Sequence, residues 1–201
     1  GDVDKAHTML QDAIVQLKRV GDKKSELIAT GNLANLQRRQ GQLKEAFVLY
    51  QDILSLCRET NNIRLEAYVL TNLAELHLAQ DEMSEAYSLF QQATDLFREV
   101  GDRGSLGYVL SEIGALALGQ NDLTKASVYI DEAGPLLREA NNQEELTKYL
   151  CRRGLLDLAN KDIQQAQLAH QEVTTLMKEL PSSKTSTIQE LYDTFTHQLQ
   201  T

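Results

Sequence analysis

Alanine stands at positions 6, 46, 86, 126 and 166, every 40 residues without a break, and this spacing constrains the chain more than any other feature. An apolar residue sits three places before each: Val3, Leu43, Met83, Leu123 and Ile163. The stretch Asp81-Glu82-Met83-Ser84-Glu85-Ala86 is one of five statements of the same phrase, from Gly1-Asp2-Val3-Asp4-Lys5-Ala6 to Lys161-Asp162-Ile163-Gln164-Gln165-Ala166. A fixed period of this size marks a repeat array, in which each unit buries its apolar face against its neighbours.

Within the period the signal is helical. Ala46, Leu49, Tyr50, Ile53, Leu56 and Cys57 fall on one face of a helix, and no β-branched alternation competes. Proline is absent before Gly134-Pro135, so long helices are allowed. Breaks recur every 20 residues, at Gly21-Asp22, Gly41-Gln42, Asn61-Asn62, Asp81-Glu82, Gly101-Asp102, Asn121-Asp122, Asn141-Asn142 and Lys161-Asp162. Gly and Asn tolerate the left-handed conformation that ends a helix, and Asp or Asn caps the next. The expectation is ten helices, near 3–20, 23–40, 43–60, 63–80, 83–100, 103–120, 123–140, 143–160, 163–180 and 185–200.

Two helix types alternate. Helix A carries a large residue (Leu33, Leu73, Ile113), then a small one (Ala34, Ala74, Gly114, Gly154), then leucine (Leu36, Leu76, Leu116, Leu156). Helix B carries the recurring alanine, then Leu10, Tyr50, Phe90 and Ile130, then Ala13, Ile53, Ala93, Ala133 and Val173. Small residues let a neighbour approach closely, and the large ones beside them fill the gap. The fold class expected is all-α: antiparallel helix pairs stacked into a superhelical α-α solenoid of about ten helices. Lys18, Arg58, Arg98, Arg138 and Lys178 form a basic column in the last turn of helix B, where the helix dipole favours positive charge. The adjacent glutamates 59, 99, 139 and 179 argue against a basic binding stripe.

Charge and motifs exclude whole classes of function. A net charge of −9 is wrong for duplex nucleic acid and for an anionic membrane surface. No apolar run approaches the roughly 20 residues of a spanning helix, and no signal peptide is apparent. Cys57 and Cys151 make neither CxxC nor a disulfide framework, which suits a reducing cytoplasm. No P-loop, GxGxxG, HExxH or GxSxG occurs. His7, His77, His170 and His197 are scattered, with His77 and His170 in columns otherwise used for packing; Cys57 shares the column of Leu17, Phe97, Leu137 and Met177. No catalytic, metal or cofactor site is expected, and the chain is read as not an enzyme.

These columns resemble the tetratricopeptide repeat (TPR) family. The match reads Leu70, Leu73, Ala74, His77, Ala86, Phe90 and Ala93 in one copy and Leu110, Ile113, Gly114, Ala117, Ala126, Ile130 and Ala133 in the next. The family repeat is usually about 34 residues; here it is 40, and the proline that normally closes helix B is missing. That longer variety is similar to kinesin light chains, to LGN-type adaptors and to bacterial TPR regulators. The array is placed at residues 1–180, as a partial first repeat (1–20) and four full ones (21–60, 61–100, 101–140, 141–180). Pro181-Ser182-Ser183 breaks the period, and Ile188, Leu191, Phe195 and Leu199 mark one face of a capping helix over 181–201. Since Gly1 corresponds to Gly41, the chain is expected to be cut from a longer one.

The resemblance implies ligand contacts from helix A, on the concave face. Carried over position by position, these are Ile28, Asn32, Asn35 and Arg39, then Tyr68, Asn72 and Glu75, then Tyr108 and Glu112, then Lys148 and Arg152. A side-chain amide donates and accepts at once, so Asn32 and Asn72, one repeat apart, could hold a peptide backbone of any sequence. Lys148 and Arg152 would make the C-terminal end basic and suit a ligand carboxylate. Asn35 and Asn72 match two positions of the chaperone-binding TPR carboxylate clamp, but Tyr108 and Glu112 stand where its cations belong, so binding to chaperone tails is not expected. The implied function is a non-catalytic scaffold that takes a protein or peptide partner in its groove. A regulatory or sensor module of a larger signalling protein is the alternative. A homodimer through the unpaired first helix, burying Met9, Leu10, Ala13 and Leu17, is a further option. Arg153 breaks the leucine column of helix A, and Asp157 four residues on is placed to pair with it; the preferred reading is a column that is partly exposed or meets the capping helix, and the alternative is a buried functional charge.

Overall fold

The computed structural model describes residues 2–200, apart from the side chains of residues 2, 3, 182, 183 and 187. Gly1 and Thr201, the expected first residue of the array and last residue of the cap, lie outside it. Ten helices run among the described residues: α1 (Asp2–Val20), α2 (Lys23–Arg39), α3 (Leu43–Glu59), α4 (Ile63–Leu78), α5 (Met83–Val100), α6 (Arg103–Gly119), α7 (Leu123–Glu139), α8 (Gln143–Ala159), α9 (Ile163–Glu179) and α10 (Ser182–Gln200).

The joints between the first nine helices are built alike. Gly21, Gly41, Asn61, Asp81, Gly101, Asn121, Asn141 and Lys161 all take positive φ, between 52° and 76°. In this conformation the next residue's N–H turns back to a carbonyl five residues earlier, as in Gln42 to Gln37, Asp122 to Ala117 and Asp162 to Asp157. That next residue then starts the following helix. Asp22, Asn62, Asp102, Asp122, Asn142 and Asp162 each accept a bond from the backbone N–H three residues on. Within each unit, two residues therefore end one helix, reverse the chain and begin the next. Pro135 sits inside α7, where its missing N–H removes one helical bond.

The chain divides into two compact units at the 100/101 joint. In the first, α2 packs between α1 and α3, and α4 between α3 and α5. In the second, α7 packs on α6 and α8, α9 packs on α8, and α10 lies across α8 and α9. The expected columns form the cores of both. Ala46, Ala86, Ala126 and Ala166 are wholly buried, as are Tyr50, Phe90 and Ile130. Each large side chain buried this way contributes roughly 1.5–3 kcal/mol. Ala6, Leu10, Ala13 and Leu17 on α1, in the same columns, are only half-buried, and Met9 is 71% exposed.

Two details differ from expectation. α10 begins at Ser182, three residues before 185. Leu180 is extended at φ −75°, ψ 140°, and the Pro181 carbonyl accepts bonds from the N–H groups of Lys184 and Thr185. Proline here opens a helix, where its fixed φ and absent N–H cost nothing. His77 is half-buried at the end of α4, not enclosed: its ring meets Phe47 edge-on and its Nδ1 lies 2.5 Å from Glu82. His170 is packed as expected, stacked on Tyr192 and edge-on to Phe195.

Candidate functional site

Each unit presents a pair of helix-A elements, and the candidate residues divide between them. In the first unit, Ile28 and Asn32 are one turn apart on α2, and Tyr68 and Asn72 occupy the same register on α4. Ile28 is 54% exposed and Tyr68 41%. Asn32 is exposed and Asn72 half-buried. The two amides thus stand beside two solvent-facing apolar side chains.

Asn35 and Glu75 are already engaged within the unit. The Tyr50 hydroxyl donates to Asn35 Oδ1, and Arg38 reaches from α2 to Glu75 on α4 at 2.6 Å. Burial raises the Tyr50 pKa, against the lowering effect of nearby Arg38. The sequence pointed to Arg39, but Arg39 is exposed and Arg38 makes the inter-helix contact. A signal existed for Arg38: it stands alone in a column otherwise filled by Leu78, Leu118 and Leu158.

A concavity of about 640 Å³ opens beside these residues in the first unit, where the N-terminal turns of α2 and α4 meet the C-terminal end of α3. Leu27, Ile28, Leu56, Leu65 and Tyr68 line it. Sequence columns picked out Ile28 and Tyr68 but not the cavity, which depends on how three helix ends converge.

In the second unit Lys148 and Arg152, the expected basic end, both meet carboxylates. Arg152 on α8 donates to Glu112 Oε1 at 2.7 Å and to Ser111 Oγ at 2.9 Å, both on α6. Burial works against the Arg152 charge, but the Glu112 carboxylate outweighs it and the guanidinium pKa is raised. Lys148 lies 2.9 Å from Glu145 and 3.2 Å from Glu144; burial again opposes its charge and the glutamates more than restore it. Both cations of the expected basic end are therefore paired, Arg152 with Glu112 of α6 and Lys148 with glutamates of its own helix. Tyr108 is half-buried beside them.

Charges outside the candidate set are also paired. Arg58 meets Glu66 at 2.8 Å, and Arg138 grips Glu172 through both terminal nitrogens at 2.6 and 2.9 Å. Arg153 pairs with Asp157 at 2.9 Å, as its spacing suggested, and also with Asp131 on α7. Burial raises the Asp157 pKa despite Arg153. Burial likewise pushes the Cys57 thiol up to about 11 and that of Cys151 to about 12, which leaves both as inert packing groups at neutral pH. Among the described residues no cluster of three His, Cys, Asp or Glu could hold a metal ion, and no helix is long and apolar enough to cross a membrane.

Known structures share this arrangement of helices. BtubC (BKLC) from P. vanneervenii is similar over 98% of this chain and 84% of that one, at 15% identity with a TM-score of 0.75. A putative kinesin light chain with nearly identical TPR-like repeats from Podosopora anserina is similar over 89% of each chain, at 16% identity with a TM-score of 0.64. A tetratricopeptide repeat protein from Parabacteroides merdae ATCC 43184 is similar over 99% and 68%, at 21% identity with a TM-score of 0.59. At these identities the likeness is one of fold: an all-α, TPR-like helical-repeat solenoid. Comparison with curated protein sequences finds no match. The soluble NSF attachment protein model, itself of a TPR-like helical family, matches residues 2–198, and on that match the chain belongs to the soluble NSF attachment protein (SNAP) family.

Proposed function

We propose that the chain is a non-catalytic adaptor that holds a peptide segment or domain of a partner protein on its helix-A face. The helical-repeat fold is generally a protein-interaction scaffold, and the family's own name describes attachment to another protein. One observation carries the reading: Asn32 and Asn72 repeat in register beside exposed Ile28 and Tyr68. Apolar side chains in solvent next to groups that both donate and accept suit a bound polypeptide. In this reading residues 1–180 form the array, and residues 181–201 cap it.

Arg152, Lys148, Glu112 and Glu75 serve this role indirectly. They lock adjacent helix-A elements together or hold their own helix, and so set the spacing of the face. Asn35 does the same through Tyr50.

The test is an affinity capture from a source lysate, with wild type beside an Asn32→Ala, Asn72→Ala double variant and bound proteins identified by mass. The expected result is a partner held by wild type and released by the variant. Equal capture by both would place the interface elsewhere. Self-association is a second reading, favoured by the 71% exposure of Met9 and the half-burial of Leu10, Ala13 and Leu17 on α1. Light scattering at high concentration should then report a dimer, and a strict monomer would remove it.

A further inference from the structure

We infer that the open groove between α1 and α3, floored by α2, is a docking site for a basic amphipathic helix of a partner protein. That helix lays two turns of apolar side chains on the floor and sets Lys or Arg at the rims. The site is separate from the helix-A face: among the described residues, none of Ile28, Asn32, Tyr68 and Asn72 lines it. It therefore stands or falls apart from the adaptor reading above.

The groove holds about 590 Å³, within the ordinary range for a binding site. Leu33 and Ile53 lie at its floor, 5% and 2% exposed, and Val15 stands on one wall, 47% exposed. The lining runs from Gln11 to Lys18 on α1 and from Leu49 to Leu56 on α3. Seven steps along a helix cover about 10 Å. That is the reach of apolar side chains at i, i+3 or i+4, and i+7 of one amphipathic helix.

The second unit shows the same groove strapped shut. Between α7 and α9, over α8, the cavity is only about 220 Å³. Arg138 crosses from α7 to Glu172 on α9 through both terminal nitrogens, and Arg153 of α8 pairs with Asp131 of α7. Three repeat periods earlier, Lys18 stands in the place of Arg138, Asp52 in that of Glu172 and Leu33 in that of Arg153. Lys18 does not cross to α3 but turns to Glu26 of α2, at 4.0 Å. Leu33 brings no charge. Asp12 on one wall and Asp52 on the other are exposed, and among the described residues they take part in no ion pair. Where the second unit closes its groove with its own arginines, the first presents carboxylates above an apolar floor. The occupant therefore supplies the cations. An acidic occupant, including a second copy of this chain with its net charge of −9, meets like charge there.

The probe is a displayed library of 18-residue amphipathic helices, selected on the full 201-residue chain. Its apolar stripe is drawn from Leu, Ile, Met and Phe, and its flanking positions from Lys, Gln and Glu. The tightest binders are then made as fluorescein-labelled peptides and titrated by anisotropy. The flanks should be enriched in Lys. Affinity should fall roughly tenfold or more for Asp12→Lys, Asp52→Lys and for Val15→Asp, and should weaken steeply with added salt. Glutamate in place of the peptide's lysines should restore binding to the charge-reversed variant. All three changed positions are exposed, and helical circular dichroism with an unchanged thermal midpoint shows that each variant is folded. Asp95→Lys, Glu99→Lys reverses two exposed charges on α5 and should bind as wild type does. Equal loss on both charge-reversed variants would reduce the binding to net charge and overturn the site. Peptides lost on Asn32→Ala, Asn72→Ala but kept by the groove variants would overturn it in favour of the helix-A face. No enrichment, or flanks enriched in Gln or Glu, would overturn it and leave the helix-A reading untouched.

Discussion

Arg152 is held between Glu112 and Ser111 with only 13% of its side chain exposed, so its removal leaves a carboxylate stranded in a poorly solvated place. Arg152→Ala should cost about 3–5 kcal/mol, the range for breaking a buried pair, less whatever the residual exposure of Glu112 returns. The Arg152→Ala, Glu112→Ala double variant should cost clearly less than the sum of the two single changes. Urea unfolding of the four proteins measures this; simple additivity would show that the pair is not coupled. At the exposed end of the scale lies Asp22, whose carboxylate accepts from the Ser25 hydroxyl and backbone N–H and so sits below its ordinary pKa of 3.8. A depressed folded-state pKa stabilises the protein above the unfolded value and is lost as pH falls through the folded one. The stability advantage of wild type over Asp22→Ala should therefore be constant well above pH 3.8 and shrink below it. A difference that persists unchanged into strong acid would remove the carboxylate from the cap. Residue columns place these positions in register along helix A, but do not show their partners. Asn35 and Tyr50, or Arg38 and Glu75, meet only because particular helices cross, and a single sequence shows periodicity without crossing geometry.

At the scale of elements, glycine decides how closely helices meet. A Cβ on Gly114 would lie 2.6 Å from Ile130 Cγ1, and one on Gly154 would run into the Phe195 ring. Gly119, by contrast, has nothing within 4 Å of where its Cβ would be. Gly114→Ala should therefore destabilise by about 1–3 kcal/mol through overpacking. Gly119→Ala should stabilise by roughly 0.4–1 kcal/mol through a less flexible unfolded chain. Thermal unfolding of the two alanine variants gives opposite shifts if the close approach is real, and parallel shifts if it is not. Helix boundaries were legible because their causes are local: a left-handed residue and a capping Asp or Asn are neighbours in sequence. The start of α10 was read three residues late because proline marks a break from either side, and only the direction of the chain after it shows which. The polarity expected of Lys148 and Arg152 was lost for a related reason. Their partners Glu144 and Glu145 sit one turn away, whereas Glu112 comes from another helix 40 residues back.

At the scale of the molecule, stability in such an array is a sum over neighbouring repeats. Phe195 is wholly buried on α10, with its ring at Gly154 of α8. Phe195→Ala should cost about 3–5 kcal/mol. Its effect on hydrogen exchange should be largest in α8, α9 and α10 and smaller in α6 and α7. A uniform loss of protection through all five would mean that this unit opens as one block. The eight matching joints have another consequence, which concerns descent rather than stability. If residues 121–160 were excised together, Gln120 would be followed by Lys161, one left-handed residue replacing another at φ 64° instead of 59°, and Asp162 would cap the next helix in place of Asp122. The reading frame of the turns survives such a cut. A gene of this kind can change by whole blocks of 40 codons, shortening or lengthening its product by duplication and loss without inventing a new turn.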